Sequence, residues 1–195
     1  MSRAWNHPAV CGVRTANGGW IQPIRPGVSI LMLLASLIAC GAVMATEKPE
    51  QSFVADARVQ QIAERYAAEA VRYSKEELGI ALDWTDASIV AVEAALARIH
   101  VLYASTQPRP TEQQAMVYAH TFGSYIGEVY RRNHHGEWGI VILGGQQFPG
   151  LKTKSGTNFW PSGRALNRIT CGAENNVADY YKALLERQPS PMRLS

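Results

Sequence analysis

Cysteine is scarce in this chain: three in 195 residues, of which only Cys171 lies beyond residue 45. One cysteine cannot close a disulfide within the segment that follows, so that segment must hold itself together by packing. In an oxidising compartment Cys171 reads as a buried, inert thiol. Its neighbours Thr170, Gly172 and Ala173 offer no group to stabilise a thiolate, which argues against a nucleophile. Charge excess is also missing. The formal +3 is carried by Arg3, Arg14 and Arg25, and beyond Ala45 acids and bases balance and are interspersed. A neutral, evenly patterned surface excludes the electrostatic footprint of a nucleic-acid binder. No Gly-x-Ser-x-Gly elbow, phosphate loop, His-Glu-x-x-His or zinc-type Cys-x-x-Cys occurs, and there is no internal repeat. No catalytic set, metal or cofactor can therefore be named from motifs.

What the chain does have is an apolar stretch, Val28 to Ala45, with no acidic residue before Glu47. Twelve uncharged residues (Val28 to Ala39) lead into Cys40. A comfortable membrane span needs about 20 apolar residues, so the stretch fits an export signal better than an anchor, with the three arginines as a long positive leader. Leu37-Ile38-Ala39-Cys40 resembles the bacterial lipobox, in which the cysteine becomes an acylated N-terminus. Val43-Met44-Ala45 fits ordinary signal cleavage, and a chance cysteine or an uncleaved anchor are the remaining readings. The expectation is a signal over 1–45 with Cys40 as lipidation site and a tether over 46–52. A single domain over 53–188 and a disordered tail over 189–195 complete it. The protein would sit on the outer or cytoplasmic membrane facing the periplasm, or be periplasmic or secreted if cut after Ala45. Gly41, not Asp, follows the cysteine, and in a host with two membranes the resemblance to bacterial lipoproteins implies outer-membrane sorting.

Periodicity places the elements. Phe53, Val59, Ile62, Tyr66 and Ala70 predict a first helix stopped by Gly79. Ile89, Val92, Leu96 and Ile99 predict a second from about Asp86, with Trp84 stapling its entry. Thr111 and Gln114 form a capping box for a third helix to about Asn133, ended by Gly136, with a stripe of Ala115, Tyr118, Phe122, Ile126 and Val129. Gly123 and Gly127 beside that stripe call for close packing; a membrane dimer motif is a poor fit to so polar a helix. Glu137 to Leu143 predicts a buried strand and Gly144-Gly145 its turn. Phe148 to Lys154 predicts a second strand, at an edge because of Pro149, and Thr157 to Trp160 a third. A Pro161-initiated helix and an Asn176-capped helix close the pattern. The fold class is α+β: three N-terminal helices, a small antiparallel sheet and two C-terminal helices.

Three groups can carry chemistry. His134-His135 invites a metal, but adjacent residues do not share a helix face and no spaced third ligand follows, so helix-end capping or exposure is the better reading. His120, Ser124 and Glu128 form a polar ladder at four-residue steps. His120 and Ser124 fall about 160° from Phe122 on the wheel, which predicts a solvated face, with Glu128 paired to Arg131 and Arg132. Trp138, Phe159, Trp160, Arg164 and Arg168 combine the residue types of binding hot spots, and Arg164 and Arg168 share a helix face that can hold an anion or carboxylates. The competing reading makes the aromatics core plugs and pairs the arginines with acids such as Glu174.

The segment Gly123 to Trp138 (GSYIGEVYRRNHHGEW), then a strand and Trp160 to Gly172 (WPSGRALNRITCG), resembles several bacterial domains of unknown function. They share a Tyr-x-Gly-Glu helix, a Gly-x-Trp strand start and a Pro-initiated helix with arginine. The resemblance covers the second half of the chain beyond the signal. It implies an α+β fold and is silent on activity, with toxin-neutralising and envelope proteins among related small domains. The expected function is an exported, lipid-anchored envelope protein acting as a non-catalytic binding or immunity-like inhibitor domain. Its partners would be the membrane, through its N-terminus, and another envelope protein. The alternative is an envelope enzyme recruiting Glu128, His120 or Cys171.

Overall fold

The computed structural model describes residues 51–186. The export segment, the box at Cys40, the start of the tether and the tail over 189–195 lie outside them. The elements run β1 (Gln51–Ala55), α1 (Ala57–Leu78), α2 (Ser88–Ser105), α3 (Glu112–His134), β2 (Glu137–Leu143), β3 (Gln146–Lys152), β4 (Asn158–Phe159), α4 (Pro161–Cys171) and α5 (Val177–Glu186). A 3₁₀ turn, Ala173–Asn175, joins the last two helices. The four strands form an antiparallel sheet in the order β1-β2-β3-β4, and the fold is α+β.

The first element differs from the expectation. Residues 51–55 are a strand paired along β2, Gln51 opposite Leu143 and Ala55 opposite Gly139, and the helix starts only after the N-cap Asp56, whose carboxylate accepts from the Arg58 amide. Phe53 belongs to the sheet, and the tether is shorter than 46–52. A five-residue strand whose partner lies far along the chain leaves no local trace of its pairing. The buried stripe of α1 is also shifted. Ala63, Ala67, Ala70 and Ser74 are buried, while Ile62 and Tyr66 are 45% and 38% exposed. Small residues fill the buried stripe of α1, while Tyr66 and Tyr73 flank it against His120, Tyr118 and Phe122 of α3. Gly79 ends the helix in the left-handed region, as its position suggested.

α2 buries Ile89, Val92, Leu96 and Ile99, the face that the spacing predicts. Trp84, just before α2, packs against the core. The residue adopts φ +65°, its ring lies 4.8 Å from that of Tyr125, and the Arg132 guanidinium stacks 3.8 Å from its centre. Trp84 therefore joins the α1–α2 loop to α3. The Thr111–Gln114 capping box is present. The C-terminal left-handed residue of α3 is His135, not Gly136. Gly136 has another duty: a Cβ there would come within 2.3 Å of Leu151 Cδ2.

The sheet follows the sequence closely. Gly144 and Gly145, at φ +56° and +77°, make the tight β2–β3 turn, a conformation that wants glycine at both central positions. Pro149 opposes Ile140 of β2. On its other side β4 reaches only Leu151 and Lys152, so Pro149 sits on a locally open edge. α4 starts at Pro161 and ends at Gly172 (φ +105°). Asn176 Oδ1 accepts from the amides of Ala178 and Asp179 to cap α5.

Candidate functional site

α3 carries His120, Ser124, Glu128 and His134. It packs against α1 on one side and α4 on another, and residues Thr121 to Tyr130 are all buried. The two glycines make this possible. A Cβ on Gly123 would lie 2.4 Å from Ser162 Cα, and one on Gly127 would lie 2.3 Å from the Trp138 ring. Neither approach survives a methyl group without movement.

This burial overturns the solvated reading of the polar ladder. Ser124 is buried, Glu128 is completely buried, and His120 is half-buried with its ring 5.9 Å from that of Tyr66. A wheel separates an apolar face from a wet one only when one side of a helix faces water. Here the opposite side is covered too, so its polar groups must be satisfied by protein.

Glu128 is satisfied in full. Its Oε1 accepts from Trp138 Nε1 at 2.7 Å and Arg131 Nε at 2.8 Å; its Oε2 accepts from Arg131 Nη2 at 2.9 Å and Arg132 Nε at 3.1 Å. Arg131 also reaches Glu64 of α1 at 3.2 Å. Burial pushes the Glu128 carboxyl pKa up, but the bonds from Arg131 and Trp138, the Arg131 charge and the Arg132 bond outweigh it and hold the group below its ordinary value. The expected pairing with Arg131 and Arg132 is present, buried rather than on the surface. A carboxylate with four donors and a depressed pKa has no lone pair free for a substrate proton and is a poor base.

The remaining residues of the enzyme alternative do not join it. His120 lies two helical turns earlier, about 12 Å along α3. Cys171 ends α4, half-buried rather than buried as expected, with the Thr170 hydroxyl 3.5 Å from its sulfur. His134 and His135 do not act as a pair. His135 is exposed, whereas His134 Nε2 lies 2.8 Å from Asp86 Oδ2. Asp86 Oδ1 accepts from Tyr181 Oη at 2.6 Å and Asn133 Nδ2 at 3.1 Å. Burial raises the Asp86 pKa, yet the bonds from Tyr181, Asn133 and His134 hold it below the ordinary value, while burial and that carboxylate push the Tyr181 phenol far up. Asp86 thus ties the entry to α2 to the end of α3 and the middle of α5. Residues 48 and 95 positions away complete the network, so spacing gave no sign of it. Among the described residues no group of three or more His, Cys, Asp or Glu is placed to hold a metal.

The aromatic–arginine set divides. Trp138 and Phe159 are core plugs. Arg168, 5% exposed, donates from Nε to Glu93 Oε1 of α2 at 2.6 Å, not to Glu174. Glu93 Oε2 accepts from the Val177 amide at the start of α5, so one carboxylate holds an arginine and a helix terminus together. Arg164 stacks 5.1 Å from the centre of Tyr180 and reaches Asn175 Oδ1 at 3.5 Å. It has no ion-pair partner among the described residues. Trp160 Nε1, Arg164 Nε and Arg168 Nη1 are all buried without an acceptor.

No protein-family model matches the chain, and no curated protein does. Among solved structures, a crystal structure of a protein from Bacteroides thetaiotaomicron VPI-5482 is similar with a TM-score of 0.52 at 14% identity. The match covers 73% of this chain and 50% of that one. A likeness at that identity bears on the fold alone. The chain spans about half the length of the neighbour it matches.

Proposed function

We propose that the protein is an exported, lipid-anchored envelope protein whose α+β domain binds a partner and catalyses no reaction. The observation that carries this reading is the Leu37-Ile38-Ala39-Cys40 box behind an uncharged run with arginines and no acid ahead of it. Support for binding over catalysis comes from the site. Glu128, the strongest candidate base, has all its bonding capacity committed within the protein, while α4 carries arginine and tryptophan donors without acceptors.

Intact mass of the protein recovered from the membrane fraction of its native host, beside a Cys40→Ser version, tests the reading. An N-terminus at Cys40 carrying acyl mass, lost in the variant, is the expected result. A mass beginning at Thr46 and unchanged by the substitution removes the anchor and leaves a freely diffusing domain.

A further inference from the structure

Five buried side-chain nitrogen or oxygen atoms among the described residues lack a hydrogen-bond partner, and four of them lie between Asn158 and Arg168: Asn158 Oδ1, Trp160 Nε1, Arg164 Nε and Arg168 Nη1. Leaving such atoms unbonded costs about 1–3 kcal/mol each, more for charged groups, so the concentration of them in one short segment calls for an explanation. Three are N–H donors and one is an acceptor. What is missing is rich in acceptors. Arg164 and Arg168, four residues apart, lie along one side of α4, and Trp160 is the N-cap of that helix. Trp160 and Arg164 are half-buried as whole residues and so reach the surface, while their unbonded nitrogens are covered and Arg168 lies deeper.

The charges narrow the ligand. Arg168 is neutralised by Glu93, whose second oxygen is taken by the Val177 amide. Arg164 meets a ring and an amide oxygen, neither of which cancels its charge. One positive charge remains, matched by one negative charge. We infer that the side of α4 bearing Arg164 and Arg168, with Trp160 at its N-cap, is a binding site for a carboxylate group, presented by a small acid or by a peptide chain. Arginine's planar fork suits a carboxylate, and the indole N–H adds a donor. The inference rests on the binding reading above and names the ligand chemistry that reading leaves open.

Nuclear magnetic resonance of the ¹⁵N-labelled full chain in detergent tests it. The Trp160 indole signal is assigned by its loss in Trp160→Phe. Sodium acetate, then Ala-Ala-Ala and its C-terminal amide, are titrated at constant ionic strength against sodium chloride. Acetate and the free-acid peptide are expected to shift the Trp160 indole and Arg164 Nε–H signals saturably. The amide and chloride should not, and Arg164→Gln should weaken binding at least tenfold. Saturation by acetate alone identifies a small acid as the source; tighter binding of Ala-Ala-Ala identifies a peptide. Absence of a saturable shift, an equal shift with the amide or chloride, or unchanged binding in Arg164→Gln overturns the site and leaves water as the partner of these donors. If Arg164→Gln does not fold, Arg164→Lys decides, with binding at least threefold weaker expected and unchanged binding overturning the site. Acyl mass on Cys40 without carboxylate binding removes the site and keeps the anchored binder; carboxylate binding with an N-terminus at Thr46 does the reverse.

Discussion

Two arginine pairs lie on two helices of this molecule and meet opposite circumstances. Arg131 and Arg132 of α3 converge on Glu128, with Trp138 and Glu64 completing a set in which each carboxylate oxygen of Glu128 accepts two bonds. Arg164 and Arg168 of α4 share a side, yet only Arg168 has a carboxylate, and both keep a buried N–H without an acceptor. The first arrangement is closed and serves the fold. The second is open, and its unmatched charge is what a ligand would complete. Arginine count alone separates nothing; what separates the two is whether the donors are matched by acceptors inside the protein.

Breaking the closed set should have the largest effect. Glu128→Leu leaves two arginines and an indole without their acceptor, and a loss of about 3 kcal/mol is expected from denaturant unfolding, because Arg131 and Arg132 keep partial access to water. Acid should loosen the same set. Glu128 and Asp86 have folded pKa values below their unfolded ones. Their contribution is complete above the ordinary carboxylate values of about 4 and is lost as pH falls through the lower folded values. The melting temperature should drop below about pH 4, and less so in a variant carrying Asp86→Asn. Next, Arg168→Gln strands Glu93 and should lower stability by about 2 kcal/mol. Gly123→Ala forces α4 away from α3; overpacking of about 1–3 kcal/mol is offset by about 1 kcal/mol of helix propensity, so a net loss near 1 kcal/mol is expected. Smallest of all, Arg164→Gln should change stability by less than about 0.5 kcal/mol. A loss as large as that of Arg168→Gln would show Arg164 to be part of the fold's own bonding and erase the contrast.

Much of the architecture was legible because it is written locally. The Thr111–Gln114 box, the two-glycine turn, Pro161 at a helix start and Asn176 as a cap each depend on residues within a few positions, and each stands as read. What failed to show depended on distant covering. β1 exists because β2 lies beside it, the fully buried stripe of α1 is three alanines and a serine where the helix meets α3, and the back of α3 is dry because α1 and α4 enclose it. The candidate site was half legible. Glu128 with its arginines follows from helical spacing, and Arg164 with Arg168 from the same rule. Which carboxylate reaches which arginine is a tertiary matter, and Glu93, 75 positions before Arg168, carried no signal in the sequence.

The placement of β1 has a consequence for how the chain comes to its native state. Its backbone partners lie about 90 positions later in the sequence, whereas the β2–β3 hairpin closes across two glycines. Each helix and the hairpin can form from nearby segments, but the outer strand cannot pair until β2 has emerged. Until then its unpaired backbone is open to any other strand. Completion of the sheet at β1 is therefore expected to be a late event in folding, and the interval before it is when the chain is most exposed to mispairing with its neighbours.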